Sequence, residues 1–359
     1  MEIKKLTEIC NPKQWKTIPT SELIEIGYPV YGANGIIGFY NEYNHDNETI
    51  AITCRGATCG TVNLTCPKAY ITGNAMCLDD INDTVLLEYL FYAMKAYDFS
   101  KIISGSAQPQ ITRQGLEKVE VVIHPKQKQK QIVLELQNVD SLITARREQL
   151  ARLDELVKSR FIEMFGGIKD DEKVTLSDIC LIITDGTHQP PKFTATGIPF
   201  LFVSNIVGNT ITYDAEKFIS QETYAELIKR TPIEIGDVLL STVGSYGHPA
   251  VVKSDKPFCF QRHIAYLKPK KELIDSEYLH GAILSVDVQK QIEERVKGIA
   301  QKTLNLSEIR KIKIPLPTID EQKQFASFVE QIDKSKFEIQ KSLEKLETLK
   351  KALMQKYFG

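Results

Sequence analysis

No apolar run in this chain of 359 residues approaches the roughly 20 needed to cross a bilayer. The opening, Met1-Glu2-Ile3-Lys4-Lys5-Leu6, lacks the long apolar stretch of an export signal, so a cytoplasmic protein is expected. Cysteines number seven, an odd count that favours free thiols in a reducing compartment over a disulfide framework. There is no surplus of positive charge either, the formal net charge being −1. Tight, non-specific DNA binding by the chain alone is thereby disfavoured, because phosphate contacts dominate such affinity. Charge is nonetheless uneven. Residues 1–104 carry about −4 and 167–297 about −3, whereas 105–166 and 298–359 carry about +2 and +4. Local basic residues leave room for specific DNA binding, especially if a partner adds charge.

Signatures of catalysis are also missing. There is no Gly-x-x-x-x-Gly-Lys-Ser/Thr phosphate loop, no Asn/Asp-Pro-Pro-Tyr/Phe of the amino-methyltransferase kind, and no acidic cluster with a lysine of the nuclease kind. Gly32-Ala33-Asn34-Gly35-Ile36-Ile37-Gly38 has the wrong spacing for a nucleotide loop and predicts a β-turn. Cys54, Cys59, Cys66 and Cys77 are separated by four, six and ten residues, which is no recognised ligand set; buried strand thiols are expected, and no metal. Asp185, His188 and His263 have no plausible nucleophile beside them, so no catalytic residue is assigned.

What the chain does have is a long internal repeat. Residues 105–166 align without a gap on 298–359. Gly105 falls on Gly298, Gln129-Lys130-Gln131 on Gln322-Lys323-Gln324, Asp140 on Asp333, and Phe165-Gly166 on Phe358-Gly359. In the first copy apolar positions run Ile132, Leu136, Val139, Ile143, Leu150, Leu153, Val157, Met164, with Arg146 and Arg160 in the gaps. In the second they run Phe325, Val329, Ile332, Ile339, Leu343, Leu346, Leu353, Tyr357, with Lys336 and Lys350 in the gaps. Strict alternation of steps of four and three is a coiled-coil seam. Pro125, Pro315 and Pro317 stand ahead of the helices, and Gly166 marks the end of the first. Each helix should span about 35–40 residues. Each seam could pack on its own globular neighbour, but mutual antiparallel pairing is the expectation. One long connection then carries the globular segment between the copies.

The remaining segments open alike, with Leu6-Thr7-Glu8-Ile9-Cys10 and Leu176-Ser177-Asp178-Ile179-Cys180. Strands are predicted at Thr49–Thr53 and Val238–Thr242, each followed by a glycine-rich turn, 55–60 and 243–247. A helix should follow near 86–97 and near 276–295. The fold class is mixed α/β: two globular α/β domains separated by an antiparallel two-helix coiled coil, with pseudo-two-fold internal repetition.

This order of elements resembles the specificity subunit of type I restriction-modification enzymes. The resemblance rests on Gly105-Ser106-Ala107-Gln108-Pro109-Gln110-Ile111 and its copy Gly298-Ile299-Ala300-Gln301-Lys302-Thr303-Leu304. It rests also on Lys311-Ile312-Lys313-Ile314-Pro315-Leu316-Pro317 followed by Glu321-Gln322, on Asp185-Gly186-Thr187-His188, and on Gly197-Ile198-Pro199-Phe200. The first copy departs from the pattern at Val122-Ile123-His124-Pro125, where the family usually shows a double proline, and the first segment lacks the Asp-Gly-Thr-His phrase. The resemblance implies target recognition domains at 1–104 and 167–297, each reading one half of a bipartite double-stranded DNA sequence. It implies helical spacer regions at 105–166 and 298–359 that set the spacing and dock two methyltransferase subunits, to which two restriction subunits could be added. S-adenosylmethionine, ATP and Mg would then act in those partners, in a prokaryotic cytoplasm, with no cofactor in this chain and no membrane.

Base reading needs paired donors and acceptors, and phosphate contact needs Lys, Arg, Ser, Thr and turn amides. Candidate DNA-binding residues in the first domain are Tyr31, Asn34, Arg55, Thr58, Lys68 and Asn74, followed by Gln108, Gln110 and Arg113 at the junction with the helix. In the second they are His188, Gln189, Lys192, Ser204, Asn205, Ser245, Tyr246, Arg262 and His263, with Gln301 and Lys302 at the junction. Exposed Lys158, Arg160, Lys350 and Lys351 are candidates for partner docking. Two other readings compete: a coiled-coil adaptor that never touches nucleic acid, and a methyltransferase or nuclease with unrecognised motifs.

Overall fold

The computed structural model describes residues 1–33, 35–105, 108–298 and 302–359, Asp170 by its backbone only. Two compact units emerge: Met1–Arg147 together with Lys341–Gly359, and Glu148–Gln340. Each is built around a four-stranded antiparallel sheet. In the first unit the order is Asn11–Lys13, Ala75–Asp79, Ile50–Thr53, Val62–Leu64. In the second it is Cys180–Asp185, Ile264–Pro269, Val238–Ser241, Pro249–Val251. The strands Ile50–Thr53 and Val238–Ser241 are buried at every position, as continuous apolar runs in a sheet interior should be.

Each unit adds a three-stranded sheet of mixed direction. Tyr28–Gly32 pairs antiparallel with Gly35–Tyr40 and parallel with Tyr70–Ile71; Ile198–Leu201 pairs antiparallel with Phe218–Ile219 and parallel with Cys259–Phe260. The same plan therefore carries two unrelated loop sets. On either side of the glycine-rich stretch the two strands pair antiparallel, with Gly32 opposite Gly35.

Helices Leu87–Ala96 and Ser276–Leu284 cover equivalent places. The predicted single helix over 276–295 is instead two. The backbone of Ser285 is extended, and its hydroxyl caps a second helix, Val286–Arg295, by accepting the Val288 amide.

The two long helices are Lys126–Phe165 and Ile319–Phe358, 40 residues each. Within the first unit their segments run antiparallel: Asp140 meets Lys350 at 2.5 Å and Glu135 accepts the Tyr357 hydroxyl at 2.7 Å. Within the second unit they do so again. Lys336 meets Asp154 at 2.5 Å, and Phe161 and Phe325 meet edge to face at 5.4 Å within a ring cluster that includes Phe165. Every seam residue predicted from the four-three steps is buried or half-buried.

A second buried device repeats. Gln129 and Gln322 are both 0% exposed. Gln129 donates to His124 O (2.8 Å) and Thr84 O (2.9 Å) and accepts Leu86 N–H (2.9 Å). Gln322 donates to Pro317 O (2.9 Å) and Leu273 O (3.1 Å) and accepts Asp275 N–H (2.9 Å). Each side chain uses its full amide to tie the start of a long helix to the segment entering the short helix above it.

Candidate nucleic-acid interface

The turn after each central strand lies on the hairpin that opens each repeat. In the first unit Gly56 donates to Pro109 O (3.2 Å), Ile111 to Cys54 O (3.0 Å), and Ser104 and Gln110 exchange amide bonds of 2.9 and 2.8 Å. In the second, Gly244 donates to Lys302 O (3.2 Å), Leu304 to Thr242 O (2.8 Å), and Lys297 and Thr303 exchange bonds of 3.0 and 2.8 Å. The same three backbone contacts join unrelated side chains. Gly56 and Gly244 sit at φ 85° and 74°, a conformation that other residues rarely adopt.

In the first unit this junction gathers Arg55, Thr58, Gln108 and Gln110. Arg55 is exposed and bridges to Gln110 through the backbone. The Thr58 hydroxyl donates to Ala33 O (2.9 Å), so Ala33 joins the cluster. Gln108 is exposed. Asn74 is half-buried against the central strand, its carbonyl accepting Cys54 N–H (3.0 Å). Arg113 is exposed, at the start of a short helix, and donates to Asn11 Oδ1 (3.2 Å). Lys68 is exposed with φ 54°, in a turn where its amide reaches Asp46 O. Tyr31 is a different case. It is 9% exposed, packs among Ala51, Ile71 and Cys77, and its hydroxyl accepts Cys66 N–H (3.2 Å); burial removes it from the candidate surface. Asn34 lies outside the described residues.

In the second unit the junction gathers Ser245, Tyr246 and Lys302. Lys302 Nζ meets Glu293 at 2.7 Å and Tyr246 Oη at 3.3 Å, and Tyr246 Oη donates to the same Glu293 carboxylate. Hydrogen bonds from Lys302 and Tyr246 hold the Glu293 carboxyl below its ordinary range, and Glu293 in turn raises Lys302. A cavity of about 390 Å³ beside this junction is lined by Asp185, Val243, Arg262, His263 and Thr303. Arg262 is exposed, its Nε 3.4 Å from His263 Nε2. Burial first, then Arg262, lowers the His263 pKa.

The Asp185 carboxylate holds exposed His188 (3.0 Å) and Arg230 together. Gln189 and Lys192 are exposed on the following loop, the Gln189 carbonyl accepting the Thr187 hydroxyl (2.9 Å). Ser204 is exposed on a 3-10 turn. Asn205 is 7% exposed and is a turn-holder: it accepts Phe202 N–H (2.9 Å) and donates to Thr212 O (3.1 Å) and Asp214 O (3.2 Å), so its amide is spent inside the domain. Gln301 lies outside the described residues.

Arg230 and Glu293 were missed by sequence reasoning. Neither belongs to a motif; tertiary structure alone brings Arg230 to Asp185 across 45 positions and Glu293 to Tyr246 across 47. Among the docking candidates, Lys158 pairs with Glu155 (2.7 Å), Arg160 with Glu163 (2.8 Å) and Lys350 with Asp140. Lys351 is exposed. No helix among the described residues is long and apolar enough to cross a membrane.

A family model described as the type I restriction modification DNA specificity domain matches residues 1–154 and 168–351. The type I restriction enzyme MjaVIII specificity subunit of Methanocaldococcus jannaschii is 23% identical over 310 residues, spanning 80% of this chain and 73% of that protein. The type I restriction enzyme EcoBI specificity subunit of Escherichia coli is 27% identical over 177 residues, spanning 48% of this chain and 37% of that protein. The crystal structure of a type I restriction-modification S subunit from M. genitalium matches with a TM-score of 0.61 at 16% identity, over 100% of this chain and 96% of that one. At that identity the likeness is one of fold.

Proposed function

Because that family model covers most of its length, this chain belongs to the type I restriction modification DNA specificity family, and on that premise we propose that each globular unit reads one half of a split DNA sequence. The carrying observation is the duplicated junction: one set of backbone hydrogen bonds, Gly56 to Pro109 and Gly244 to Lys302, presenting two unlike sets of side chains. A constant frame with variable loops is what two independent readers of different half-sites require.

In the first reader, Arg55, Thr58, Gln108, Gln110 and Arg113 supply donors and acceptors for base edges and phosphates, with Lys68 and Asn74 at the margin. In the second, Ser245, Tyr246, Lys302, Arg262, His263, His188 and Arg230 do so. Bidentate arginine is suited to guanine, and the lysines and hydroxyls to backbone positioning. The helical spacer regions set the distance between half-sites and dock two methyltransferase subunits; two restriction subunits join on the same scaffold. Methyl transfer from S-adenosylmethionine and ATP-driven work with Mg belong to those partners, and this chain contributes recognition. The unbroken 40-residue length of both long helices supports the spacer role.

Methylation mapping of host DNA with this gene present and deleted tests the proposal. A two-part motif should appear and vanish with the gene. A single contiguous motif, or none when the methyltransferase subunits are present, overturns it.

A further inference from the structure

A histidine, a thiol and a carboxylate converge in the first unit, away from the hairpin junction. Strand Ala75–Asp79 places Cys77 and Asp79 on one face, since alternate strand residues point the same way. His45, on the loop opposite, brings its ring to them. A ring nitrogen of His45, Cys77 Sγ and an Asp79 carboxylate oxygen all lie within 4.8 Å of one another, and it is Nε2 that meets Asp79 Oδ1, at 3.0 Å.

The hydrogen bonds around this trio fix its chemistry. Asn44 Nδ2 donates to Ile71 O (3.0 Å), and Asn44 Oδ1 accepts Ile71 N–H (2.9 Å), so the backbone sets which way the amide faces. Asn44 Oδ1 can only accept, and His45 Nδ1 lies 2.6 Å from it. Nδ1 therefore carries the hydrogen. In the neutral ring, Nε2 then turns its lone pair toward Asp79 Oδ1, 3.0 Å away. The other carboxylate oxygen is already held, because Trp15 Nε1 donates to Asp79 Oδ2 (3.1 Å). Two acceptors facing each other at that distance call for a cation between them. A proton would serve those two atoms and leave the third untouched. Cys77 is 0% exposed, and its sulfur has no hydrogen-bond partner among the described residues.

We infer that His45, Cys77 and Asp79 form a binding site for one divalent transition-metal ion of the zinc class. Imidazole, thiolate and carboxylate together suit zinc or cobalt rather than magnesium or calcium, which prefer oxygen alone. Zinc bonds of about 2.0–2.3 Å put tetrahedral ligands roughly 3–4 Å apart, so the trio needs to close by only about 1 Å. Asn44 on the far ring nitrogen and Trp15 on the far carboxylate oxygen are the outer partners that orient such ligands. His45 and Asp79 also line an open cleft whose other charged residues are Lys13, Asp46, Glu48, Asp80, Asp83 and Lys126, an acidic majority that draws cations. The ion would pin the 44–46 loop to the sheet. This site is independent of the DNA-reading assignment.

The test is cobalt titration of the full chain after metal has been stripped with a chelating resin. One equivalent of Co²⁺ should bind and give a thiolate-to-metal charge-transfer band, which Zn²⁺ then abolishes by displacement. Cys77→Ser should remove the band, and His45→Ala should weaken Co²⁺ binding at least tenfold. Cys54→Ser and Cys66→Ser should leave the band unchanged. Should Cys77→Ser fail to fold, amide exchange of 44–46 in the unsubstituted chain replaces it as the readout, and Zn²⁺ should slow that exchange at least tenfold. No thiolate band in the unsubstituted chain overturns the inference and leaves a proton-bridged His–Asp pair; so does a band that survives Cys77→Ser, or exchange of 44–46 that ignores Zn²⁺.

Discussion

Gln322→Leu is expected to damage the second unit far more than an ordinary surface change. The side chain is 0% exposed and makes three hydrogen bonds, to Asp275 N–H, Leu273 O and Pro317 O. Leucine fills nearly the same volume, so the cavity contribution is small and the loss is polar. It strands one donor and two acceptors in a low-dielectric site. At about 1–3 kcal/mol for a buried donor left unsatisfied, and less for carbonyls that keep a second lone pair, the cost should be about 3–5 kcal/mol. That is a large share of the ~5–15 kcal/mol that stabilises a typical domain. With an m-value of about 2–3 kcal/mol/M in urea, the unfolding midpoint should fall by roughly 1–2.5 M. Gln129→Leu is the matched experiment in the first unit. The single tryptophan, Trp15, lies in that unit, so its fluorescence reports Gln129→Leu, and amide exchange at Asp275–Tyr278 reports Gln322→Leu. A loss below about 1 kcal/mol, or an Asp275 amide that keeps its protection, would refute the account of these glutamines as latches.

Arg55→Ala should weaken binding to one half-site about tenfold or more and leave the other unchanged, measured by anisotropy with methyltransferase subunits present; equal loss on both halves counts against independent readers. Lys302→Ala should reduce the slope of log affinity against log salt by about 1 if its ammonium meets a phosphate, and an unchanged slope excludes that contact. His280 is held near a pKa of about 4 by burial, against 6.5 for the free side chain, while its Nε2 donates to Asn209 O. The unfolded chain therefore takes up this proton first as pH falls. Stability should drop from about pH 6.5 to about 4, and His280→Gln should flatten that stretch of the unfolding profile. Tyr92→Phe removes a hydroxyl that donates to Asp140 (2.9 Å) and should cost about 1 kcal/mol, seen in the Trp15 transition.

The helical half of the molecule was legible because its rule is periodic. Ile132, Leu136 and Val139 recur at the four-three steps of a helical seam, and Pro125 and Gly166 bound the run. Strands Ile50–Thr53 and Val238–Ser241 were legible from unbroken apolar composition. The break at Ser285 was not, since a mid-run serine is compatible with a continuous helix until its hydroxyl turns to cap. Site residues fared according to chain distance. Arg55 and Ser245 sit in glycine turns visible in the sequence. Tyr31 and Asn205 carry the polar atoms that reading DNA would need, but spend them on Cys66 and on the 212–214 backbone, pairings that no local pattern announces. Arg230 and Glu293 reach their partners only through the fold.

The first unit is closed by residues from the far end of the chain. Tyr357 belongs to its core, and Phe358 lies edge to face on Tyr89 at 5.2 Å. On the ribosome, Glu148–Gln340 can therefore mature while the segment made before it still waits for the last turns of Ile319–Phe358. The half synthesised earliest is completed last. A frameshift just before the codons for Lys341–Gly359 would strip the first unit of its closing residues and spare Glu148–Gln340.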